Sequence, residues 1–456
     1  MTDYIIESIT IAIGFLLVII IFLAAGISIY EKEKRAAVKF FWLAFGLSLP
    51  FFIAGFAGYT IVGGILSAIL ILTLIIILFP FSRPTVFKNM NPNSQFDERD
   101  TMFARKDLVP DSENYKDYYN RHPENKELDD HFRELPGLLN SRSHNYHPLG
   151  FASTNATFKA VANLKSLIKD RPVNQNHNIT PENLTMYIKS WAKKLGAVDC
   201  GITVLQDYHL YSHKGRFQLY GKKIENNHKY GIAFTVEMDR DMISSAPGAS
   251  IVMESARQYL NAGAIAVQVS EFLRLIGYPA TAHIDGNYEV ICPLVARDAG
   301  LGEIGRMGLL MTPKLGPRVR ISVVTTDAPL ITDKRKPDFS VVDFCHHCQK
   351  CASVCPAQAI PYNDMEENNG VLRWQINSES CYIFWCQVGT DCSRCMYVFP
   401  YSHPDNLMHN LVRKTLKQST LFHRLAVKLD DYFYGSRPAP KPLPDWMRIK
   451  TSTVLK

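Results

Sequence analysis

The sequence predicts an α+β protein with a three-helix transmembrane anchor at its N-terminus and a cysteine-rich module towards its C-terminus. Three observations lead to this prediction. The first 90 residues contain two long uncharged runs, the middle of the chain mixes strand-like with helix-like segments, and most of the 10 cysteines lie between Cys345 and Cys395. We therefore divide the 456 residues into segments with bounds at 1–90, 91–158, 159–338, 339–410 and 411–456.

The first 90 residues are predicted to form three membrane-spanning helices. No residue from Ser8 to Tyr30 is charged, and at about 1.5 Å per residue such a run crosses a hydrocarbon core of about 30 Å. The uncharged run from Phe40 to Ser82 is about twice as long and is interrupted by glycines, so it is interpreted as two spans joined by a tight turn. A signal peptide fits poorly, because the first run is too long and acidic residues precede it.

Basic residues near the span ends predict the orientation. They lie between the first two spans and after the third: Lys32, Lys34, Arg35, Lys39, Arg83 and Lys88. The positive-inside rule then places the N-terminus outside and the soluble part in the cytoplasm, so we expect an inner-membrane protein with membrane lipid as one partner. The first 90 residues contain no histidine, which excludes a haem held by two histidines in the spans. The net charge of +7 comes without a basic run interleaved with aromatics, so no nucleic-acid partner is expected.

The middle of the chain is predicted to form a mixed domain. Residues 91–158 are polar with little periodicity and are expected to wrap the core as an extended segment. Thr180 and Pro181 mark the start of a helix that ends at Gly196, and a long apolar helix closes at Gly277. Three runs rich in β-branched residues are typical of strands: "VDCGITVL", "YGIAFTVEMD" and "VRISVVTT". The proline-rich stretch after Pro438 is expected to extend along the surface.

Four cysteines form a regular run that ends in proline. Cys345, Cys348, Cys351 and Cys355 are followed by Pro356, which gives the bacterial ferredoxin spacing C-x2-C-x2-C-x3-C-P. In that run three thiolates hold one [4Fe–4S] cluster and the fourth reaches the other cluster. Zinc sites usually pair cysteines two and two, and disulfides need an oxidising compartment. We therefore predict a ferredoxin-like module with two clusters.

The second cysteine group departs from this spacing. It consists of Cys381, Cys386, Cys392 and Cys395. A regular partner run would need a cysteine at position 399, where the sequence has Phe399. Two hypotheses are open: either Cys386 replaces the missing ligand, or one cluster has three thiolates, as a [3Fe–4S] cluster or with a non-cysteine ligand. Cys200 and Cys292 have apolar, strand-like surroundings and are interpreted as core residues.

Several longer motifs resemble one family. "ARDAGLGEIGRMGLLMTPKLGPRVRISVVTTDAPL", followed by "FCHHCQKCASVCPAQAI", resembles the corrinoid-dependent reductive dehalogenases and, more distantly, epoxyqueuosine reductase. "FDERDTMFAR" and "GTDCSRCMYVFPYSHP" are more similar to the dehalogenases. The resemblance extends from about Phe96 to His403 and implies a nitroreductase-like core that binds base-off cobalamin beside two [4Fe–4S] clusters. By this resemblance the following residues approach the corrin: Gly300, Leu301, Gly302, Gly305, Gly308, Met311, Pro313 and Gly316.

Two features depart from the family. Phe399 stands where the family has cysteine, which leaves the ligands of one cluster open. Respiratory members carry an export signal and use a separate small membrane protein, whereas this chain has its own predicted spans. Both the external location and the usual membrane partner are therefore in question.

The resemblance also implies roles for three side chains. Tyr259 is the expected proton donor, with Asp285 and Arg318 beside the substrate. A phenol has a pKa near 10, so a donated proton leaves a phenolate that needs a nearby cation. Arg318 is the first choice for that cation and Arg320 the second, while Asp285 is the competing proton donor. Apart from the resemblance, Tyr259 fits an ordinary core tyrosine and Arg318 a surface ion pair.

We therefore expect a cobalamin-dependent iron–sulfur oxidoreductase. The expected reaction is the two-electron, one-proton removal of halide from a small organohalide, such as a halogenated phenol or another aromatic, at a Co(I) corrinoid fed by two clusters. The electron donor would be a ferredoxin, a flavodoxin, a reductase or a quinol-linked protein. Two alternatives are a corrinoid iron–sulfur reductase similar to epoxyqueuosine reductase and a membrane-anchored ferredoxin-like electron carrier.

Overall fold

The computed structural model describes residues 2–78, 91–174 and 177–448. In chain order its helices are α1 (Thr2–Tyr30), α2 (Lys34–Phe56), α3 (Thr60–Leu78), α4 (Met102–Arg105), α5 (Glu113–Arg121), α6 (Lys126–Glu134), α7 (Pro148–Leu164), α8 (Pro181–Lys194), α9 (Arg240–Ser244), α10 (Ala249–Leu275), α11 (Cys292–Asp298), α12 (Phe339–Cys348), α13 (Lys350–Ser353), α14 (Ser378–Val388), α15 (Arg394–Val398), α16 (Leu407–Gln418) and α17 (Phe422–Tyr434). Its strands are β1 (Asp199–Val204), β2 (Tyr230–Glu237), β3 (Ala280–His283), β4 (Glu303–Ile304), β5 (Leu310–Met311), β6 (Val319–Thr326), β7 (Glu366–Asn368) and β8 (Val371–Arg373).

The chain separates into two compact units. The N-terminal helices and Asp405–Pro438 form the first, called here the membrane unit, and Val86–Pro404 with Ala439–Lys456 forms the second, called here the core unit.

The N-terminal helices of the membrane unit pack as a hairpin followed by a third helix. Helices α1 and α2 are long and apolar enough to cross a membrane, whereas the apolar part of α3 in the described residues is shorter. Of the three predicted spans, the described residues give two candidate spans, α1 and α2. The expected tight turn is present between α2 and α3, where Gly58 has a φ of +73° that favours glycine. Arg83 and Lys88, used for the predicted orientation, lie outside the described residues.

Helices α16 and α17 complete the membrane unit. The buried Glu31 carboxylate accepts a hydrogen bond from Asn406 Nδ2 at 2.5 Å, and its Oε2 lies 3.1 Å from His409 Nε2. The ring of Phe433 stacks on that of Phe40 with 4.1 Å between centroids. The prediction of a simple tail from residue 411 is therefore wrong for α16 and α17, whose buried faces pack on the first hairpin.

The core unit is built on a four-stranded antiparallel sheet in the order β1-β2-β6-β3. Alternate residues of a strand point to opposite faces of a sheet. Ile232 and Phe234 therefore join the cluster under α8 and α10, while Ala233 and Val323 join the cluster under α11. The sheet thus has helices on both faces, and its predicted strands and long helices are confirmed.

The segment 91–158 differs from its prediction. It was expected to be extended, yet α5, α6 and most of α7 lie within it. In α5 the buried residues are Tyr115, Tyr118 and Tyr119, which follow the helical spacing i, i+3, i+4. The phenol rings supply the apolar face of this helix, and the polar character of tyrosine conceals the pattern in the sequence.

Candidate active site and iron–sulfur module

A cavity of about 620 Å³ opens in the core unit beside the cysteine-rich module. Its walls come from α10, from the start of β6 and from the segment between α14 and α15. The lining residues used below are Arg216, Ser255, Tyr259, Asp285, Arg320 and Asp391. The cavity therefore brings residues from distant parts of the chain next to the predicted cluster ligands.

Tyr259 and Arg320 face each other in this cavity. The Arg320 guanidinium lies 4.8 Å from the centre of the Tyr259 ring, which is the geometry of a cation–π contact. Tyr259 is on α10, where Ser255 precedes it by one helical turn, and Arg320 is on β6. A cation and a phenol thus share one site, as the predicted proton-donor role requires.

Asp391 and Ser255 hold the Arg320 side chain. Arg320 Nη2 lies 3.2 Å from Asp391 Oδ2 and donates a hydrogen bond to Ser255 Oγ at 2.5 Å. The Ser255 hydroxyl in turn donates to the Asp391 carboxylate. Because Asp391 is buried, this ion pair is shielded from solvent and fixes the guanidinium over the Tyr259 ring.

Opposing charges act on the Tyr259 hydroxyl. Arg320 is the largest influence and lowers the pKa of Tyr259, but burial and the carboxylates of Asp285 and Asp391 outweigh it, so the pKa lies above its ordinary value. Arg216 also lowers the pKa of Tyr259. The phenol is therefore protonated at neutral pH, which is the form that can donate a proton.

The structure differs from the sequence-based expectation at Arg318. The guanidinium of Arg318 is buried and pairs with Glu237 Oε1 at 2.5 Å, and it also donates hydrogen bonds to two backbone carbonyls. Those contacts fix the end of β2 next to the start of β6. Arg320, the second choice from the sequence, lines the cavity instead, and Asp285 lines it as expected.

The predicted glycine-rich loop is packed against the protein itself. A Cβ at Gly302 would collide with the carbonyl oxygen of Met311, and one at Gly305 would lie 2.6 Å from the Met311 side chain and 3.3 Å from Cys345 Sγ. Gly308 and Gly316 have positive φ angles of 71° and 56°. None of the eight predicted corrin-contact residues lines the described cavity, whose nearest wall residues in this loop are Leu309, Leu310 and Pro317.

One buried arginine lies within electrostatic range of the first three cysteines of the regular run. Arg306 interacts electrostatically with the thiols of Cys345, Cys348 and Cys351. Its Nε donates to the Cys345 carbonyl oxygen at 3.1 Å, and its guanidinium lies 4.6 Å from the Trp374 ring centre. Burial raises the pKa of the Cys345 thiol to about 11, and Arg306 opposes this. A buried cation therefore lies near the three proposed cluster ligands.

Cys355 belongs to a second group with Cys381, Cys392 and Cys395. Burial raises the pKa of the last three thiols most, and the charge of Cys355 adds to the rise at each of them. This is the ferredoxin arrangement in which the fourth cysteine of one run joins the other group. The four thiols thus lie within electrostatic range of one another, and Cys395 is also within range of Cys351 from the first run.

Cys386 lies elsewhere. It packs with Phe132 and Tyr382 in an apolar cluster, and its thiol interacts with the Tyr382 hydroxyl and the Lys106 charge. Phe399, where a regular run would have cysteine, is buried, with its ring 6.0 Å from Phe344 and 5.4 Å from Tyr401. Among the described residues, the interactions resolved for Cys386 include no other cysteine, which favours the three-thiolate hypothesis.

The residues at the cavity fit a large amide-bearing cofactor. Arg320 Nε and Asp391 Oδ1 are buried and have no hydrogen-bond partner among the described protein atoms. The carboxamide side chains of a corrin carry both donors and acceptors and could satisfy them. The sequence alone did not identify Arg216, Ser255 or Asp391. Two signals were available: Ser255 lies one turn before Tyr259, and Asp391 directly precedes Cys392.

Parts of the chain are similar to known proteins. Residues 344–402 match the 4Fe-4S dicluster domain. A tetrachloroethene reductive dehalogenase of Desulfitobacterium hafniense is 36% identical over 218 residues, which cover 45% of this chain and 39% of that protein. Another, from Sulfurospirillum multivorans, is 28% identical over 293 residues, covering 56% of this chain and 58% of that protein.

The fold is similar to that of solved relatives. A catabolic reductive dehalogenase has a TM-score of 0.64 at 24% identity, over 78% of this chain and 49% of that chain. The same values hold for a reductive dehalogenase whose structure suggests a mechanism for B12-dependent dehalogenation. The matched regions span less than two thirds of the length of each of these relatives. This chain is therefore similar to reductive dehalogenases in sequence over about half of its length, and similar in fold to solved members over 78% of it.

Proposed function

We propose that this chain is a membrane-anchored reductive dehalogenase. The overall reaction takes an organohalide, two electrons and one proton, and yields the hydrogen-substituted product and halide. The observation that carries the proposal is the Tyr259–Arg320 pair, which lies in a cavity beside a matched dicluster domain. The homology to tetrachloroethene reductive dehalogenases supports the same activity.

The core unit would bind cobalamin in the cavity. Within this unit, we assign residues 159–338 as the nitroreductase-like domain. A bound corrinoid supplies a cobalt centre that can pass two electrons to a carbon–halogen bond. The protein's own contribution is to bind the substrate, exclude water and deliver a proton. Arg320 Nε and Asp391 Oδ1 are the buried polar atoms we propose to face the cofactor or substrate.

Tyr259 is the proposed proton donor and Arg320 the group that stabilises its phenolate. When the phenol gives up its proton, the negative charge forms beside the guanidinium at 4.8 Å from the ring centre, so the cation is already in place. Asp285 is the competing donor, since it lines the same cavity. In the cavity Arg320 takes the role first given to Arg318, and Arg318 holds two strand ends together.

The cluster ligands divide into two sets in this proposal. Cys355, Cys381, Cys392 and Cys395 would hold a [4Fe–4S] cluster. Cys345, Cys348 and Cys351 would hold the other cluster, as a [3Fe–4S] cluster or with a non-cysteine fourth ligand. The competing assignment is Cys386 as the replacement ligand. The interactions of its thiol with the Tyr382 hydroxyl and the Lys106 charge favour the three-thiolate set.

The membrane arrangement also belongs to this proposal. We infer three spans, including α3, with the N-terminus outside and the core unit in the cytoplasm. A cytoplasmic site would take electrons from a ferredoxin, a flavodoxin, a reductase or a quinol-linked protein. The proposed substrate is a small halogenated aromatic, because the cavity combines a phenol, an arginine and apolar walls. A solved relative has been captured with 3-bromo-4-hydroxybenzoic acid.

One preparation tests the proposed function. The full chain is purified anaerobically in detergent, reconstituted with iron and sulfide, supplied with cobalamin and assayed for cobalt, iron and halide release from bromophenols under a strong one-electron reductant. Bound cobalt with halide release is the expected result. Clusters without cobalt would leave only the electron-carrier alternative. A protein that binds cobalt and clusters and turns over an epoxyqueuosine-containing stem loop, but releases no halide, would favour the epoxyqueuosine-reductase alternative. A region of 93 residues is 32% identical to an epoxyqueuosine reductase.

A further inference from the structure

The outer face of α17 is apolar although its inner face already packs on the protein. Leu421, just before the helix, is 63% exposed, Leu425 is 45% exposed and Leu429 is 47% exposed. Residues spaced by four lie on the same side of a helix. Tyr432, three residues further on, extends this row and is also exposed. The row is long enough to form a continuous apolar strip along the helix.

The opposite side of α17 provides the contacts that hold it in the membrane unit. His423, Asp430 and Phe433 are its buried residues, and Phe433 stacks on Phe40 of α2. Leu421, Leu425 and Leu429 lie outside this buried face and keep 45–63% of their surface exposed. Exposed apolar rows of this kind on soluble surfaces mark interaction sites or aggregation hazards, so a ligand for the row is expected.

Basic residues border the leucine row. Arg424 and Lys428 are exposed and lie one position before Leu425 and Leu429, so they follow one edge of the row. Helix α16 repeats the pattern in a shorter form, with Leu407 at 85% exposure and the exposed Lys414 on the same side two turns later. An apolar strip with a cationic edge is typical of helices that lie in a membrane interface, where anionic headgroups meet the acyl chains.

The end of α17 lies at the level where the second candidate span begins. Lys39 Nζ donates to the Tyr432 carbonyl oxygen at 2.6 Å and lies 3.6 Å from the centre of the Tyr432 ring. Lys39 is the last charged residue before the uncharged run that starts at Phe40. Tyr432, the last residue of the row, therefore lies beside the charged residue that precedes the apolar part of α2, on which Trp42 is exposed.

We propose that α17, assisted by α16, is a second membrane contact of this protein. Its leucine row inserts into the boundary between headgroups and acyl chains, and Arg424 and Lys428 bind the phosphate groups of anionic phospholipids. The occupant is the anionic bilayer surface, because Arg424 and Lys428 border the leucine row with positive charge and Tyr432 contacts Lys39 at the start of a candidate span. The inference does not depend on the enzymatic activity.

Hydrogen–deuterium exchange on the full chain in nanodiscs tests the proposal. The discs contain either phosphatidylcholine alone or phosphatidylcholine with phosphatidylglycerol, and exchange is followed in peptides covering 421–434. Each basic residue near an anionic surface strengthens binding about fivefold. We therefore expect clearly slower exchange in the anionic discs for the wild type, and loss of that difference in the double variant Arg424→Gln with Lys428→Gln.

The apolar contribution is tested by Leu425→Glu with Leu429→Glu. This variant is expected to exchange faster in both kinds of disc. The matched control is Leu167→Glu with Leu219→Glu, which adds the same charges at exposed leucines of the core unit and is expected to leave 421–434 unchanged. Unchanged exchange in α2 and β2 peptides verifies that each variant is folded. If Leu425→Glu with Leu429→Glu unfolds, the variant Arg424→Gln with Lys428→Gln still tests the proposal, because it changes only exposed positions.

Two results would overturn the proposal. One is exchange in 421–434 that is the same in detergent, neutral discs and anionic discs for the wild type and both variants. The other is protection that occurs only when a disc contains two copies of the chain, which would assign the row to a contact between copies.

Discussion

The Asp391 carboxylate and the Arg320 guanidinium form a buried ion pair, with 3.2 Å between Oδ2 and Nη2, and the guanidinium lies over the Tyr259 ring. The pair sets where positive charge is available in the cavity. A phenol alone is a weak acid, and a fixed cation lowers the free-energy cost of the phenolate it leaves. The following predictions test this arrangement and the cluster ligands.

Tyr259→Phe is expected to reduce turnover about a hundredfold to ten-thousandfold, the usual range for loss of a general acid. The substitution removes one hydroxyl and keeps the ring that contacts Arg320. Halide release under steady-state conditions is the measurement, with unchanged cobalt and iron content as the control for loading. If the variant keeps full turnover, Tyr259 is not the donor, and Asp285→Asn becomes the variant to measure.

Arg320→Gln should shift the pH dependence of turnover. Arg320 lowers the pKa of Tyr259, so its removal raises that pKa further above the ordinary value. The protonated donor then survives to higher pH, and the alkaline fall in rate moves upward. Each unit of pKa rise makes proton loss about tenfold less favourable, so the rate at neutral pH also falls.

The matched variant for Arg320 is Arg320→Lys, which keeps the charge and is expected to shift the alkaline limb less than Arg320→Gln. A pH–rate profile for all three proteins, with ultraviolet titration of tyrosinate, measures both effects. An alkaline limb that does not move in Arg320→Gln contradicts the assigned role.

Cys386→Ser and Cys355→Ser are expected to differ. Because the Cys386 thiol interacts with the Tyr382 hydroxyl and feels the charge of Lys106, with no other cysteine among its resolved interactions, its replacement should leave iron content and the electron paramagnetic resonance spectrum unchanged. Cys355→Ser should lose or alter the signal of one cluster, since Cys355 lies with three other cysteines. Cys200→Ser serves as a core cysteine control. A changed spectrum in Cys386→Ser would instead make Cys386 a ligand.

Phe399→Cys is expected to supply the fourth thiolate of the first cysteine group. In the wild-type protein we expect the signal of a three-iron cluster or of a cluster with a non-cysteine ligand. In the Phe399→Cys variant we expect an ordinary [4Fe–4S] signal instead. Phe399→Ala leaves similar space without a thiol and is the matched control. The truncation of a buried Phe costs about 3–5 kcal/mol of unfolding free energy, so both variants should melt at lower temperature. Identical spectra in the two variants would show that position 399 does not reach the cluster.

Arg306→Met is expected to lower the reduction potential of the cluster bound by Cys345, Cys348 and Cys351. Reduction adds negative charge, and the buried guanidinium beside these cysteines stabilises it. For a one-electron couple, a loss of about 1.4 kcal/mol corresponds to about 59 mV. Redox titration followed by electron paramagnetic resonance measures the shift, with Arg306→Lys as the variant that keeps the charge. A potential equal to that of the wild type in Arg306→Met would refute the role.

The sequence predicted the sheet strands and the long helices because their apolar periodicity and caps are local signals. Thr180, for example, accepts a hydrogen bond from the Asn183 amide at 3.3 Å at the start of α8. The choice between Arg318 and Arg320 could not be made locally. Arg318 directly precedes β6, and Arg320 is the second residue of that strand. Their partners, Glu237 and Asp391, come from distant parts of the chain.

The position of Cys386 illustrates a second limit. Cys381 and Cys386 are both on α14, and five residues along an α-helix turn the side chain by about 140°. The two thiols therefore cannot face the same cluster from a straight helix. Spacing in the sequence suggested proximity, while the helical rotation separates the two residues in space.

Asp391 and Cys392 are consecutive in the chain, so the carboxylate that steers the arginine and a proposed iron ligand share one peptide bond. If Cys392 binds a cluster as proposed, loss of that cluster would remove one restraint on the backbone that carries the Asp391 carboxylate. Under that proposal, oxidative loss of the cluster is expected to impair proton delivery as well as electron supply.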